Sequence, residues 1–314
     1  MKELSSPTST RFKIIRVAGT LIAISLLLYL FFKQGWGEIL AGIRLIPTWI
    51  LITTLGLTLI SRLAVTARWH VLLVSAGLPI SARDSLRITF AGLFATNILP
   101  TTIGGDVIRL AGAIRLKFDA AVCAASLVVD RLVGMAGMAM VLPFCLPALP
   151  EITGAARQPA FQRLFLLTTT SHNLWDAMVD KSRSSIQKIR QAVDLWRKNP
   201  RSLVISLAWS WIHMLSVFSI LWLLFYGLGE SISFWLVGGL YSLVYFFTLI
   251  PISINGYGLQ EISMTFVFYQ MGGISLSSSL TVALLFRTLM IIGSLPGAFF
   301  IPGMLTSSNP SRAS

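Results

Sequence analysis

The chain has 314 residues, of which 55% are hydrophobic and only 12% are charged. A soluble domain usually carries about 25% charged residues, so the composition excludes a water-exposed globular protein and predicts a polytopic membrane protein. The net charge of +13 comes from basic residues in short clusters beside apolar runs. Such clusters mark the cytoplasmic side of membrane proteins, so we predict no nucleic-acid partner.

The sequence carries no pattern typical of catalysis or metal binding. Its two cysteines fall in one apolar run, and its histidines, His70, His172 and His213, share no metal-ligand spacing. It contains no P-loop, GxSxG or HExxH motif. We therefore predict that the protein is not an enzyme and has no catalytic residue, metal ligand or cofactor.

The first predicted elements are a tail and two membrane helices. Residues 1–13 are polar with basic residues close by, which predicts a disordered cytoplasmic tail. Residues 14–32 are apolar and long enough to cross the bilayer. They lack a small-residue cleavage site, so they indicate a first membrane helix and no signal peptide. The second predicted span covers residues 48–67.

Three residues near the end of this span are interpreted as interface residues. Arg68 and Trp69 follow the span directly, and a Trp beside an Arg at a helix end is typical of anchoring among lipid headgroups. Arg62 lies deeper in the span. We expect its long side chain to reach the interface by snorkelling.

The apolar pattern is broken between residues 97 and 109 by a proline, two adjacent glycines and an acid–base pair. Lipid cannot hydrogen-bond a free peptide group, so irregular backbone at membrane depth has to be buried in protein or line a wet cavity. We predict a half-helix from Asp84, a turn from Pro100 to Gly105, and a return helix from Asp106.

A related interruption occurs in the second half, at residues 250–261. Pro251 lies 151 residues after Pro100, and Gly256 lies 151 residues after Gly105. Interrupted hydrophobic segments at corresponding positions of two halves are typical of a transporter site.

The apolar stretch 119–150 contains Asp130 and Arg131. Adjacent residues on a helix lie about 100° apart, so these two are poor partners for each other. We predict a network in which Arg109 and Arg131 lie near Asp106 and Asp130. Charges inside a span face a bundle interior or cavity, where they bind a ligand or only fix the packing, and both alternatives stay open.

The remaining chain contains one basic segment and a second set of spans. Residues 151–171 show no clear span. Residues 172–201 are basic and amphipathic, and they are interpreted equally well as a helix on an anionic leaflet or as a cytoplasmic connector. The second half is predicted to contain spans at 203–227, 232–251 and 275–303, with the interrupted segment at 251–271.

The predicted crossings leave one topological choice. Placing 1–13, 68–87 and 181–201 all in the cytoplasm requires an additional crossing between 119 and 174, or an interrupted segment that crosses fully. Otherwise the halves would be inverted repeats with the basic segment outside. The bias of basic residues favours the additional crossing.

The predicted fold class is an all-α polytopic membrane protein. It has about six to eight transmembrane helices, with two interrupted or re-entrant segments in two related halves. The predicted organisation is a tail 1–13, a single transmembrane domain 14–303 with halves of about 14–150 and 203–303 linked by 172–201, and a tail 304–314.

The charges predicted at membrane depth suit a phosphate-bearing lipid. Arginine presents a planar fork that matches phosphate, and helix N-termini after the glycine turns point N–H groups at an anion. The acids would hold an amine or balance the arginines in the empty site. The candidate headgroup-binding residues are Asn97, Gly104, Gly105, Asp106, Arg109, Asp130, Arg131, Gly256, Gly258, Glu261 and Arg287.

The combined motifs resemble one known family over residues 14–303. They are Arg68-Trp69 with Leu72-Leu73 and Gly77, Asn97-x-Leu99-Pro100 with Gly104-Gly105-Asp106 and Arg109, Asp130-Arg131 with Gly134, and Pro251 with Gly256-x-Gly258 and Glu261. This set resembles the lysylphosphatidylglycerol synthase transmembrane-domain family of flippase-like integral membrane proteins.

The resemblance implies a lipid translocation module, here without the cytosolic aminoacyl-transferase domain that can be fused to it. It implies an aminoacyl-phosphatidylglycerol, polyprenyl-linked or hopanoid-type lipid, and a bacterial or archaeal cytoplasmic membrane. The alternative is a non-transporting membrane partner that presents a lipid to a separate glycosyl- or aminoacyl-transferase. A membrane-embedded enzyme is the weaker third interpretation.

Overall fold

The computed structural model describes residues 44–98, 104–148, 196, 198–249 and 258–300. These residues form eight α-helices and two 3-10 helices and contain no strand. The fold confirms the predicted all-α polytopic membrane protein. The elements are α1 (Thr48–Ser75), α2 (Ala82–Ile98), α3 (Gly104–Arg115), α4 (Ala120–Val141), η1 (Leu142–Ala148), α5 (Pro200–Gly227), α6 (Phe234–Thr248), α7 (Leu259–Met271), α8 (Leu276–Ile292) and η2 (Leu295–Phe299).

Four described segments are long and apolar enough to cross a membrane. Two are the single helices α1 and α5, and two are formed by a helix with its following 3-10 turn, at Ala120–Leu146 and Leu276–Phe299. The predicted segments that lie outside the described residues are 1–13, 14–32, 151–171, most of 172–201, the turns at 99–103 and 250–257, and the tail 304–314.

Helix α1 is longer than the sequence pattern predicted. It continues through Trp69 to Ser75 because the residues that follow Trp69 are apolar and no helix breaker occurs before Gly77. Gly77 has a φ of +83°, a conformation that ends helices and suits glycine. The predicted end at residue 67 is therefore wrong, and Trp69 lies inside the bundle, fully buried.

The described elements occur in two matching sets. Helix α5 begins 152 residues after α1 (200 against 48), and α6 begins 152 residues after α2 (234 against 82). Helices α1 and α5 both have 28 residues, and the short helices α3 and α7 have 12 and 13. Each set ends with a longer helix followed by a 3-10 helix.

The equivalent helices α1 and α5 pack against each other along their whole length and run antiparallel. The Trp196 indole N–H, just before α5, donates to the Leu72 carbonyl oxygen near the end of α1, at 3.1 Å. Farther along, Ser61 Oγ lies 2.7 Å from His213 Nδ1. The end of α1 therefore lies beside the start of α5.

One end of the bundle carries six of the twelve described lysine and arginine residues. We call it the basic end, because the loops and helix termini there contain Arg83, Arg87, Arg115, Lys117, Lys198 and Arg201. The opposite end contains one described basic residue, Arg44, together with Glu230.

Two short hairpins enter the bundle from different ends. Helices α2 and α3 start and finish at the basic end and pack closely, with Gly92 facing Gly105. Helices α6 and α7 start and finish at the opposite end, where Ser275, just after α7, donates its hydroxyl to Glu230 at 2.7 Å. Each hairpin therefore reaches toward the middle of the bundle from its own side.

Each 3-10 helix packs against the hairpin of the other half. A Cβ on Gly297 of η2 would collide with the backbone of Phe90 in α2. A Cβ on Gly239 of α6 would collide with the backbone of η1 at Cys145. Glycine is required at both positions because two backbones approach closely, so the two halves are interlocked.

Helix α4 runs parallel to α5, because Val133 clusters with Leu207 and Gly137 contacts Met214 farther along both helices. Residue 148 therefore lies at the opposite end, and residue 196 at the basic end. This placement is what an additional crossing between the halves requires, and that predicted crossing falls on residues outside the described set. Antiparallel packing of α1 and α5 therefore does not exclude such a crossing, contrary to the choice predicted from the sequence.

Candidate functional site

The most buried charge described in the bundle is the carboxylate of Asp130, which is 1% exposed. Arg68 holds it with two hydrogen bonds, from Nε to Oδ1 at 2.7 Å and from Nη2 to Oδ2 at 3.1 Å. Arg109 adds two more, from Nη1 and Nη2 to Oδ2 at 3.2 and 3.3 Å. One carboxylate therefore fixes two guanidinium groups from α1 and α3.

A second carboxylate, Asp106, lies at the first turn of α3 and joins two arginines. Its Oδ1 accepts from Arg109 Nη1 at 3.2 Å. Its Oδ2 accepts from Arg131 Nε at 2.6 Å and lies 2.5 Å from Arg131 Nη2. The predicted network of Asp106, Arg109, Asp130 and Arg131 is confirmed, and adjacent Asp130 and Arg131 have different main partners because they point to different sides of α4.

The network lines a cavity of about 310 Å³ that both halves enclose. Its walls come from α1, α2, α3 and α4 of the first half and from α5 and α6 of the second. The lining residues are Val65, Arg68, Leu93, Thr96, Asp106, Arg109, Asp130, Arg131, Gly134, Met138, Ser210, His213, Met214 and Tyr245.

Two glycines make the room that the arginines occupy. A Cβ on Gly92 would lie 2.7 Å from Arg109 Cγ, and a Cβ on Gly134 would lie 3.0 Å from Arg68 Nη1. Arg109 also lies over the Trp69 ring, with its guanidinium carbon 4.3 Å from the ring centroid. This stacking favours a guanidinium, since the face of an aromatic ring attracts a cation.

Sequence reasoning missed Arg68 and Trp69 as parts of this site. Both were interpreted as interface anchors, but Arg68 is buried in the ion network and the Trp69 indole donates to Ser126 Oγ at 3.0 Å. The sequence signal that would have placed them correctly is the apolar run after Trp69, which extends α1 by a further one to two turns.

The sequence profile of the family described as Lysylphosphatidylglycerol synthase TM region matches residues 16–297. The chain belongs to this family. No curated protein matches the chain. Membership supports a membrane protein associated with lipids, which agrees with a charged cavity inside a helical bundle.

In this family member, Glu261 and Arg287 form a separate ion pair between α7 and α8. Glu261 is 3% exposed, and neither residue is among those that line the cavity. The structure therefore does not bring them together with the Asp130 network. Residues 151 positions after Asp130 and Arg131 are Thr281 and Val282, so the charged network belongs to one half only.

The other predicted site residues of the family member lie near helix ends or outside the described residues. Asn97 donates to Ser294 Oγ at 2.6 Å, where α8 has ended and η2 begins. Gly258 precedes α7 with a φ of +76°. Gly104 is the first residue of α3, and Gly256 lies outside the described residues.

Gly105 is among the candidate headgroup-binding residues predicted from the sequence. In the structure a Cβ there would collide with Thr96 Oγ1 and lie 2.6 Å from the Gly92 carbonyl oxygen. The contact that requires glycine at this position is therefore the packing of α3 on α2.

Arg62 does not snorkel as predicted. Its Nη2 donates to the Met290 carbonyl oxygen at 2.8 Å. Met290 lies in the last turn of α8, whose final carbonyls have no partner within the helix. A cation there also stabilises the negative end of the helix dipole, so Arg62 fixes the end of α8 against α1.

Proposed function

We propose that the protein binds the phosphate group of a membrane lipid in the arginine-lined cavity and moves that lipid between the leaflets of a cytoplasmic membrane. The observation that carries the proposal is the charge of the cavity. Three guanidinium groups, of Arg68, Arg109 and Arg131, stand against the carboxylates of Asp106 and Asp130, which leaves one positive charge.

One excess positive charge matches one phosphodiester. Uncompensated charge inside a membrane protein is costly, so a ligand carrying a single negative charge is the natural occupant. Arg109 Nε is buried and has no hydrogen-bond partner. A phosphate oxygen would accept from it in a charge-assisted hydrogen bond. The phosphodiester group of an aminoacyl-phosphatidylglycerol or polyprenyl-linked lipid would supply this single negative charge, which an uncharged hopanoid lacks.

Transport is supported by the arrangement of the two halves. Equivalent helices α1 and α5 run antiparallel, and the two hairpins enter from different ends, as expected for inverted repeats with re-entrant segments. The cavity lies between the halves, where rocking of one half against the other would change the side of access. The basic end is assigned to the cytoplasm by the positive-inside rule.

The alternative function is a lipid-presenting partner of a separate membrane-bound transferase. It uses the same cavity and needs no change of access. We propose binding and movement of the lipid without bond-making, because the charged groups of the lining are paired with each other and Ser61, the hydroxyl bonded to the lining residue His213, is not itself among the lining residues. A product found after incubation with radiolabelled lipid would contradict this.

The binding step is tested with phosphatidylglycerol and uncharged diacylglycerol in detergent micelles. We expect the wild type to bind phosphatidylglycerol, and Arg109→Gln to weaken that binding by about ten- to a hundredfold, the equivalent of one charge-assisted hydrogen bond. Arg287→Gln is the matched control, since it also breaks an ion pair but lies away from the cavity. Equal binding by all three proteins would refute the headgroup role.

The transport step is tested in proteoliposomes that contain fluorescent phosphatidylglycerol. Wild-type protein should accelerate exchange of the labelled lipid between leaflets, and Arg109→Gln should not. A protein that binds the lipid but leaves the exchange rate at that of protein-free liposomes would favour the presenting function.

A further inference from the structure

The two acidic residues of the cavity differ in their surroundings. The Asp130 side chain is 2% exposed, and the whole group is enclosed between Arg68 and Arg109. The Asp106 side chain is 15% exposed. Its two oxygens reach across to different arginines, Arg109 on the inner side and Arg131 on the outer side.

Asp106 therefore occupies the position that suits an anion with several oxygens. A phosphodiester offers two unesterified oxygens, and guanidinium groups bind phosphate and carboxylate with the same planar fork. If Asp106 moved away, Arg109 would keep its two hydrogen bonds to Asp130. Arg131 would then lose its contacts with the Asp106 carboxylate.

Among the described residues, those exposed beside the outer arginine are apolar. The Arg131 side chain is 45% exposed. Its exposed neighbours on α4 are Val128 and Leu132, and Val107 beside Asp106 is exposed on α3. Arg131 is eleven residues into α4, about 16 Å from the basic end at 1.5 Å per residue. The described residues around this ion pair are otherwise apolar, as expected for a side of the cavity that faces lipid.

We propose that Asp106 is an exchangeable counter-ion. In the empty protein it pairs with Arg131 across a lateral opening between α3 and α4. The phosphate of a lipid that enters through this opening displaces the carboxylate from Arg131. This inference rests on the proposed function and adds how the site would select lipids that carry a phosphate. An uncharged lipid cannot replace the carboxylate, so the pair stays closed. Asp130 stays in place as the permanent counter-ion of Arg68 and Arg109.

The test compares phosphatidylglycerol binding to wild type, Asp106→Asn and Asp84→Asn. Asp84 is the control because it carries the same charge change on α2 at the basic end, outside the cavity. Removing the competing carboxylate should tighten binding by about tenfold, the worth of one exchanged charge-assisted contact. Asp84→Asn should bind as the wild type does. Unchanged or weaker binding by a stably folded Asp106→Asn would overturn the inference.

A second measurement uses one protein before and after a chemical change. Asp106→Cys removes the carboxylate, and the two native cysteines are buried. Modification with an anionic methanethiosulfonate restores a negative charge and should weaken phosphatidylglycerol binding, whereas neutral methyl methanethiosulfonate should not. Equal effects of the two reagents would contradict an exchangeable charge.

The two proposals fail in different ways. If Arg109→Gln binds phosphatidylglycerol as the wild type does, the proposed function itself is wrong. If Arg109→Gln loses binding but Asp106→Asn gains none, only the counter-ion inference is wrong. Glycerophosphoglycerol, the soluble phosphodiester headgroup, serves as the soluble arm, and a gain in its affinity equal to that of phosphatidylglycerol would overturn lateral lipid entry.

Discussion

Replacing Asp130 by Asn should be the most destabilising single charge neutralisation in the cavity. The carboxylate accepts four hydrogen bonds, two from Arg68 and two from Arg109, at 2.7–3.3 Å. Wild type has three arginines and two acids at the cavity, a net charge of +1, and Asp130→Asn raises this to +2. Removing one partner of a buried ion pair costs about 3–5 kcal/mol, because the remaining charge stays buried without compensation.

The same substitution at Asp106 gives the comparison. That carboxylate is more exposed, and its partner Arg131 is nearly half exposed. The cost should therefore fall to about 1–2 kcal/mol, between the values for buried and exposed pairs. The assay is unfolding of each purified variant in one detergent, followed by intrinsic fluorescence over a range of temperature or added denaturing detergent.

A double variant separates loss of charge balance from loss of packing. Arg68→Gln combined with Asp130→Asn returns the net charge to +1, so it should be more stable than Asp130→Asn alone. The coupling between the two sites should be about 1–3 kcal/mol. Asp130→Asn that unfolds like Asp106→Asn, or a double variant less stable than both single variants, would refute the reasoning.

Three further predictions concern the packing around Arg109, the aromatic ring beneath it and the orientation of the protein in the membrane. Gly92→Ala should reduce phosphatidylglycerol binding and stability together, since its Cβ would collide with Arg109 Cγ and with backbone of α3; binding unchanged from wild type would contradict the geometry. Trp69→Phe keeps an aromatic ring under Arg109 but loses the hydrogen bond to the buried Ser126 hydroxyl. The free energy of unfolding should therefore fall by about 1–3 kcal/mol, and an unfolding transition equal to that of the wild type would contradict this prediction. In intact cells that express Lys198→Cys or Glu230→Cys, an impermeant thiol reagent should label only the cysteine at position 230. The reverse labelling pattern would invert the proposed orientation.

Part of the site was predictable because charges in a membrane protein are few. Asp106, Arg109, Asp130 and Arg131 stood out in apolar sequence, and each needed a partner at the same depth. Helical geometry indicated only that adjacent Asp130 and Arg131 are not each other's partners, and their pairing with Arg109 and Asp106 stayed a hypothesis until the packing of α3 on α4 was known. The sequence also assigned Glu261 and Arg287 to the same site, because charged residues predicted at similar membrane depth cannot be divided between two sites without knowing which helices are in contact.

Local patterns gave the wrong role to three residues of α1. An Arg-Trp pair at a presumed helix end has the same appearance whether the helix stops there or continues, so the position of Arg68 depended on where α1 ends. Arg62 looked like a snorkelling side chain because its partner, the Met290 carbonyl oxygen, lies 228 residues away along the chain. No periodicity in the sequence reports such a contact.

The sequence by itself determined the membrane class, the all-helical fold and the four charges of the central network, because hydrophobicity and rare charges are properties of the residues themselves. Only the tertiary structure decided that Arg68 completes that network, that Gly105 serves helix packing, and that the cavity lies between the halves. Those features depend on which helices approach each other and how closely, and this is set by side-chain shape across contacts far apart in the chain.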